Sequence, residues 1–236
     1  MTRSSVFHGL ALAGLLALSG CASGPTADAR DPLEPLNRGI YEFNEGVDRA
    51  VLKPVATAYA DVTPGPVRTG VSNFFGNLRD AWSAVNAVLQ ARPREAAENT
   101  MRFAVNSTLG LAGVLDIASE MGLERTTLDF GLTLGRWGVP DGPYLMLPLL
   151  GPSTLRDTVA LPVDAQGNAV GQVGHVPTRN EMTALRIVDK RAGLLRAGEM
   201  LEEAALDRYS FVRDSYLQRR QSQTGRQPPE ERYDLE

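Results

Sequence analysis

The chain has 236 residues, of which 43% are hydrophobic, and a formal charge of −4 from 24 Lys and Arg against 28 Asp and Glu. That is enough for one sizeable domain or two small ones, and an acidic balance without a Lys/Arg block gives nucleic acid nothing to bind. The single cysteine, Cys21, excludes an intrachain disulfide and a multi-cysteine metal site.

The N-terminus accounts for that cysteine. Arg3 supplies a short positive region, Val6 to Leu18 an apolar run of signal-peptide length, and Ser19 and Gly20 the small residues expected before cleavage. Leu18-Ser19-Gly20-Cys21 resembles a bacterial lipobox, in which the cysteine becomes the first mature residue and carries a diacylglyceryl thioether and an N-acyl chain. Three chains at about 0.8 kcal/mol per buried methylene anchor a protein for practical purposes permanently. Ala22 follows, rather than an inner-membrane retention aspartate, so the expected address is the periplasmic face of an outer membrane. The expected organisation is a signal peptide over 1–20, a lipidated tether over 21–30, a helical domain over 31–218 and a disordered tail over 219–236.

Asp31-Pro32-Leu33-Glu34 reads as a helix start, with Asp31 as N-cap, Pro32 at the first helical position and Glu34 reaching back. Leu36, Ile40, Phe43, Val47 and Val51 form a stripe at helical spacing that Lys53-Pro54 ends or kinks. After the Thr63-Pro64-Gly65-Pro66 turn, one helix is predicted through Val67 to Leu78 and another through Trp82 to Leu89. From Arg92-Pro93 a further helix places Ala97, Met101, Ala104 and Val105 on one face. Gln166 to Thr178 reads as a glycine-rich loop, and Glu181 to Gln218 as helix with a turn around Gly193 and Gly198. No alternating strand pattern emerges, so the predicted class is mostly α.

Between Phe103 and Asp157 the chain is greasy yet full of glycine and proline. Val105 to Ala118 is too short and too polar to span a bilayer, and Pro143, Pro148 and Pro152 break the Tyr144 to Leu150 run. Irregular apolar backbone belongs either in a globular core or in a protein-lined part of a membrane protein. Asn106, Ser107, Thr108 and Asp116 alternate with Leu109, Leu111, Val114 and Leu115, a mixture suited to a wall that meets an amphiphile. Two readings stay open for Asn106 to Asp116: a channel-facing helix that bends at Gly110 and Gly113, or a core helix whose glycines allow close packing. Phe43, Phe74, Phe75, Trp82 and the Tyr144 to Leu150 run are read as helix packing before lipid contact.

Catalytic chemistry has little to draw on. His8 leaves with the signal, so His175 is the one remaining imidazole, too few for a histidine metal set. Asp129-Phe130-Gly131 lacks any kinase context, and no P-loop is present.

The chain resembles the MlaA, or VacJ, family of phospholipid-transport lipoproteins. The likeness runs through Asp31-Pro32-Leu33-Glu34, Asn37-Arg38, Tyr41-Glu42-Phe43-Asn44, Val71-Ser72-Asn73-Phe74, Asn77-Leu78-Arg79 and Asn106-Ser107-Thr108-Leu109-Gly110. It is densest over Asp129-Phe130-Gly131, Trp137-Gly138-Val139, Gly142-Pro143-Tyr144 and Gly151-Pro152-Ser153-Thr154-Leu155-Arg156-Asp157. Beyond these, Asp189-Lys190-Arg191-Ala192 and Tyr216-Leu217-Gln218-Arg219 match, while Arg136 and Pro140 depart from the pattern. The resemblance implies a ring of amphipathic helices embedded in one membrane leaflet around a central amphipathic channel. It further implies a lipoprotein that returns misplaced phospholipid from the outer leaflet to a soluble periplasmic carrier, bound to trimeric porins, with no cofactor and no catalysis. Two other functions compete: a structural lipoprotein with a soluble helical domain and no channel, and an enzyme acting on envelope lipid.

Overall fold

The computed structural model describes residues 28–224. The signal segment, Cys21 and residues 225–236 lie outside the described residues. In chain order the elements are α1 (Glu34–Val47), a π-helical turn (Asp48–Leu52), α2 (Lys53–Val62), α3 (Gly65–Leu89), α4 (Pro93–Thr108) and a single-turn α5 (Ile117–Glu120). There follow α6 (Phe130–Arg136), a hairpin of β1 (Tyr144–Leu147) and β2 (Gly151–Thr154), α7 (Leu155–Gln166), a 3-10 turn (Ala169–Gln172), α8 (Val176–Gly193), α9 (Leu195–Ala204) and α10 (Arg208–Thr224). The protein is mostly helical, and no helix among the described residues is long and apolar enough to cross a membrane.

Several local expectations change. Asp31 does not cap α1, which starts after Leu33. Its buried carboxylate instead accepts from Asn37 Nδ2 at 2.8 Å, from the Tyr209 hydroxyl and from Arg213, tying the helix start to α10. Lys53-Pro54 neither stops nor sharply breaks the helix. Pro54 has no amide hydrogen for the Ala50 carbonyl, and the chain absorbs this by widening to a π turn. The two helices expected over Val67 to Leu89 are one, α3, of 25 residues.

The hairpin was not expected, because each strand is only four residues long and prolines interrupt both the turn and β2. Tertiary partners hold it in place of strand propensity. Asn37 gives Nδ2 to the Tyr144 carbonyl at 3.1 Å and takes the Met146 amide at 2.8 Å. One heptad on, Asn44 repeats the arrangement with the Leu147 carbonyl at 3.0 Å and the Leu149 amide at 2.7 Å. The C-terminal expectation also changes: residues 219–224, assigned to a disordered tail, complete α10, and Arg220 there is buried and paired.

The helices turn their polar faces inward. Asn37, Asn77, Asn86, Asn99 and Asn106 are at most 1% exposed, whereas Leu36, Phe43, Val67, Val85, Val88 and Met101 on the same helices are 46% to 68% exposed. Small residues allow close approach in the interior, as where Ala87 and Ala96 pack against Leu128 and Leu132. Scattered exposed leucines are ordinary, but buried polar side chains outnumbering buried apolar ones are not. Each buried polar group left without a partner costs about 1–3 kcal/mol, so most of this interior is hydrogen-bonded, with Asn77 Oδ1, Asn99 Oδ1 and the Tyr144 hydroxyl among the exceptions. Every arginine buried among the described residues, namely Arg102, Arg156, Arg213 and Arg220, is paired with aspartate.

Candidate functional site: a cation-lined cavity

Against these paired buried arginines, one cavity gathers cations that have no such partner. α3, the loop entering α6, the end of α7 with the 3-10 turn, α8 and α10 surround a space of about 620 Å³. Phe75, Leu78, Trp82, Leu128 and Val170 give it an apolar side, and Arg79, Arg186, Lys190 and Arg219 a charged one. Among the described residues none of these four cations lies within ion-pair distance of a carboxylate. Arg186 and Lys190 are neighbours one turn apart on α8, while Arg79 enters from α3 and Arg219 from α10.

The two carboxylates that line the cavity are occupied. Asp129 caps α6 through the Leu132 amide and takes Arg220 at 2.6 and 2.9 Å. Asp164 accepts from Trp82 Nε1 and from the Phe130 amide, both at 2.8 Å, and burial raises its pKa. Lys190 is open to water yet ringed by protein atoms, as a side chain in a lumen should be. Burial first, then the charges of Arg79, Arg219 and Arg186, push its pKa down. Burial and Arg79 do the same to Arg186, whose Nη1 donates to Asn168 Oδ1 at 2.8 Å. Crowded, unpaired cations beside an apolar wall form a receptor for an amphiphilic anion.

A second cleft of about 550 Å³ has the opposite character. Val47, Leu52, Met146, Leu149, Leu150, Leu194, Leu201 and Phe211 line it. Its one cation, Arg191, is bound by Asp48 at 2.6 and 2.7 Å.

The residues singled out in the sequence lie elsewhere. Helix α4 ends at Thr108, so Asn106 to Asp116 is not one helix: 109–116 is a tight loop. Leu111 and Ala112 take left-handed φ of 53° and 58°, and Gly113 φ of 95°. A Cβ on Gly110 would overlap the Asn106 and Leu115 carbonyls, and one on Gly113 the Asn77 side chain. Asn106 and Asp116 are brought together at the base of this loop. Asn106 Nδ2 reaches Asp116 at 2.9 Å, and Asn106 Oδ1 takes the Ala118 amide at 2.9 Å. Arg102 grips both Asp116 oxygens at 2.8 Å. Burial alone would raise Asp116, but bonds from Ser119, Asn106 and Arg102 hold its pKa down at about 2. Ser107 accepts from Asn77 at 2.9 Å, Thr108 bonds back to the Ala104 carbonyl, and Leu109 is 66% exposed. None of these seven lines the 620 Å³ cavity.

The aromatic run divides. Phe75, Tyr144 and Met146 are buried, whereas Phe43, Leu149 and Leu150 are exposed. His175 caps α8 by accepting from the Thr178 amide, and the Asp129-Phe130-Gly131 triplet serves a helix cap and the Arg220 pair. The four cavity cations were missed individually. Three of them, Arg79, Lys190 and Arg219, fall inside stretches already notable for family resemblance, which was the one available signal.

A helical protein with a largely hydrogen-bonded polar interior, many apolar side chains exposed on its helices and a cation-lined cavity belongs to a narrow class of folds suited to an amphiphile. The comparisons identify which. The MlaA lipoprotein family model matches residues 29–223, and the chain belongs to that family. It is similar to the intermembrane phospholipid transport system lipoprotein MlaA of Shigella flexneri, 39% identical over 87% of this chain and 84% of that one. The Haemophilus influenzae protein of the same name is 33% identical over 88% and 86% of the two chains. A solved structure from work on the structural basis for maintenance of bacterial outer membrane lipid asymmetry superposes with a TM-score of 0.72. It is 36% identical and covers 82% of this chain and 98% of its own.

Proposed function

We propose that this protein is a lipoprotein of the outer membrane that takes misplaced phospholipid from the outer leaflet and delivers it through its cavity to a soluble periplasmic carrier. The protein thereby maintains lipid asymmetry. Its acylated Cys21 anchors it in the periplasmic leaflet, and trimeric porins are its membrane partners. The observation that carries this reading is the inverted polarity: apolar side chains outside, hydrogen-bonded asparagines inside, and a cavity that offers an apolar wall and free cations together. Exposing two acyl chains of about 30 methylenes to water would cost on the order of 20 kcal/mol, so a passive device must shield the chains while hydrating a charged headgroup. A soluble helical domain with its oily residues buried together, as the structural-lipoprotein reading requires, is at odds with Phe43, Leu149 and Leu150 on the surface.

Within this reading Asn106, Ser107, Thr108, Leu109, Gly110, Gly113 and Asp116 form a hinge. The Arg102 and Asp116 latch holds the 109–115 loop, and the loop's exposed Leu109, Leu111, Val114 and Leu115 meet lipid. The test is a deletion strain assayed for phospholipid on the cell surface. Accumulation that the wild-type chain reverses, and a Cys21→Ser chain does not, is the expected result. Unchanged surface lipid in the deletion strain would overturn the proposal.

A further inference from the structure

The cavity's charge balance says more than that it accepts a phosphate. Five cations line it, Arg79, Arg186, Lys190, Arg219 and Arg220, against two carboxylates, Asp129 and Asp164. Asp129 is consumed by Arg220, and Asp164 faces neutral donors, the Trp82 indole and the Phe130 amide. The remaining cations come from three separate helices, α3, α8 and α10, so several elements converge on one charged side of the cavity. A phosphate diester satisfies one charge of this surplus. An ammonium on the same headgroup would be repelled by the rest and would find no free carboxylate partner beyond the buried Asp164.

Resting on the phospholipid reading above, we propose that the cavity selects by headgroup charge, taking lipids whose headgroup is net anionic in preference to zwitterionic ones. The recognised chemistry is a phosphate monoanion without a neighbouring ammonium. It is supplied by a lipid such as phosphatidylglycerol, since the apolar wall of Phe75, Leu78 and Trp82 continues from the cationic side to receive glyceride and chains. Cations crowded on one side of a cavity gain more from a net anion than isolated surface lysines would, and because the cavity is open to water the gain is screened by salt.

The experiment is competition on the purified full chain in neutral detergent, with a fluorescent phosphatidylglycerol displaced by unlabelled phosphatidylglycerol, phosphatidylethanolamine, glycerophosphoglycerol or inorganic phosphate. Phosphatidylglycerol should displace the probe at least about tenfold better than phosphatidylethanolamine at low salt, and the ratio should shrink toward one at high salt. The paired variant Arg79→Ala with Lys190→Ala should lose the preference, and Lys190→Arg should keep it. Equal displacement by the two lipids overturns the selectivity while leaving the conduit intact. Displacement by inorganic phosphate as strong as by the lipid shows a free-anion site and overturns the lipid assignment. Failure of every lipid to bind removes the transport reading and this inference together.

Discussion

Lys190 and Arg191 are consecutive residues on α8, yet they serve opposite regions. Lys190 enters the 620 Å³ cavity, where no carboxylate among the described residues reaches it, and Arg191 enters the apolar cleft, where Asp48 binds it through two hydrogen bonds. At about 100° per residue a helix delivers adjacent side chains to different faces, so the difference in fate belongs to what each face meets. In the cleft, as at Arg102, Arg156, Arg213 and Arg220, the fold neutralises its own cations. In the cavity it leaves four unpaired and crowded. Arg49, Arg68, Arg136, Arg179, Arg196 and Arg208 also lack an ion pair among the described residues, but the cavity gathers four such cations around one space beside an apolar wall, which suits it to a counter-charge that arrives from outside.

The contrast can be broken most severely by reversing the cavity's sign. A chain with Arg79→Glu and Lys190→Glu should fold with an unchanged melting temperature, because neither side chain holds an ion pair, yet clear surface phospholipid no better than the deletion strain. Full clearance by this variant would remove the cavity from the lipid route. Next comes the neutralised interior. Arg102→Met leaves Asp116 and the buried Asp80 with the partly exposed Arg125 as their one remaining cation, and loss of a buried partner from such a network costs about 3–5 kcal/mol. Thermal unfolding in detergent measures this. A loss within about 1 kcal/mol would mean that the latch does not hold the 109–115 loop.

A third test uses pH. Asp116 has its folded pKa depressed from 3.8 to about 2, so its contribution to stability is fully present above the ordinary carboxylate value and is lost as pH falls through the folded one. Asp80, raised by burial despite Arg125 and Arg102, acts with the opposite sign. The stability gap between the wild type and Asp116→Asn isolates the first group: it should be widest above about pH 4 and close toward pH 2. A gap that stays constant over this range would contradict the depressed pKa. The smallest effect belongs to the cleft. Asp48→Asn breaks a partly exposed pair, so it should cost no more than about 1 kcal/mol and leave lipid clearance unchanged. Loss of clearance with this variant would erase the distinction between the two regions.

Much of the helical layout was legible because proline and glycine punctuate it: Pro54, Pro66 and Pro93 all fall in or beside first turns of α2, α3 and α4. The stripe Leu36, Ile40, Phe43, Val47 gave the right helix but not the direction it faces, since periodicity is the same whether apolar residues point to a core or to lipid. The hairpin was hidden because Asn37 and Asn44, more than a hundred residues away in sequence, supply the partners that hold it. The last turn of α10 was hidden for a similar reason. Its Gln and Arg composition reads as solvated tail, while Asp129 and Asp157 wait to receive Arg220.

The sequence by itself determined a mostly helical class and the family, and set the expectation of a lipid anchor, because all three readings rest on local order: caps, prolines, stripes and a cysteine after small residues. Only the tertiary structure decided that polar faces turn inward, that the glycine-rich 109–115 segment is a latched loop, and which cations go unpaired. Charge compensation is a property of distances between residues far apart in the chain, and composition carries no record of those distances.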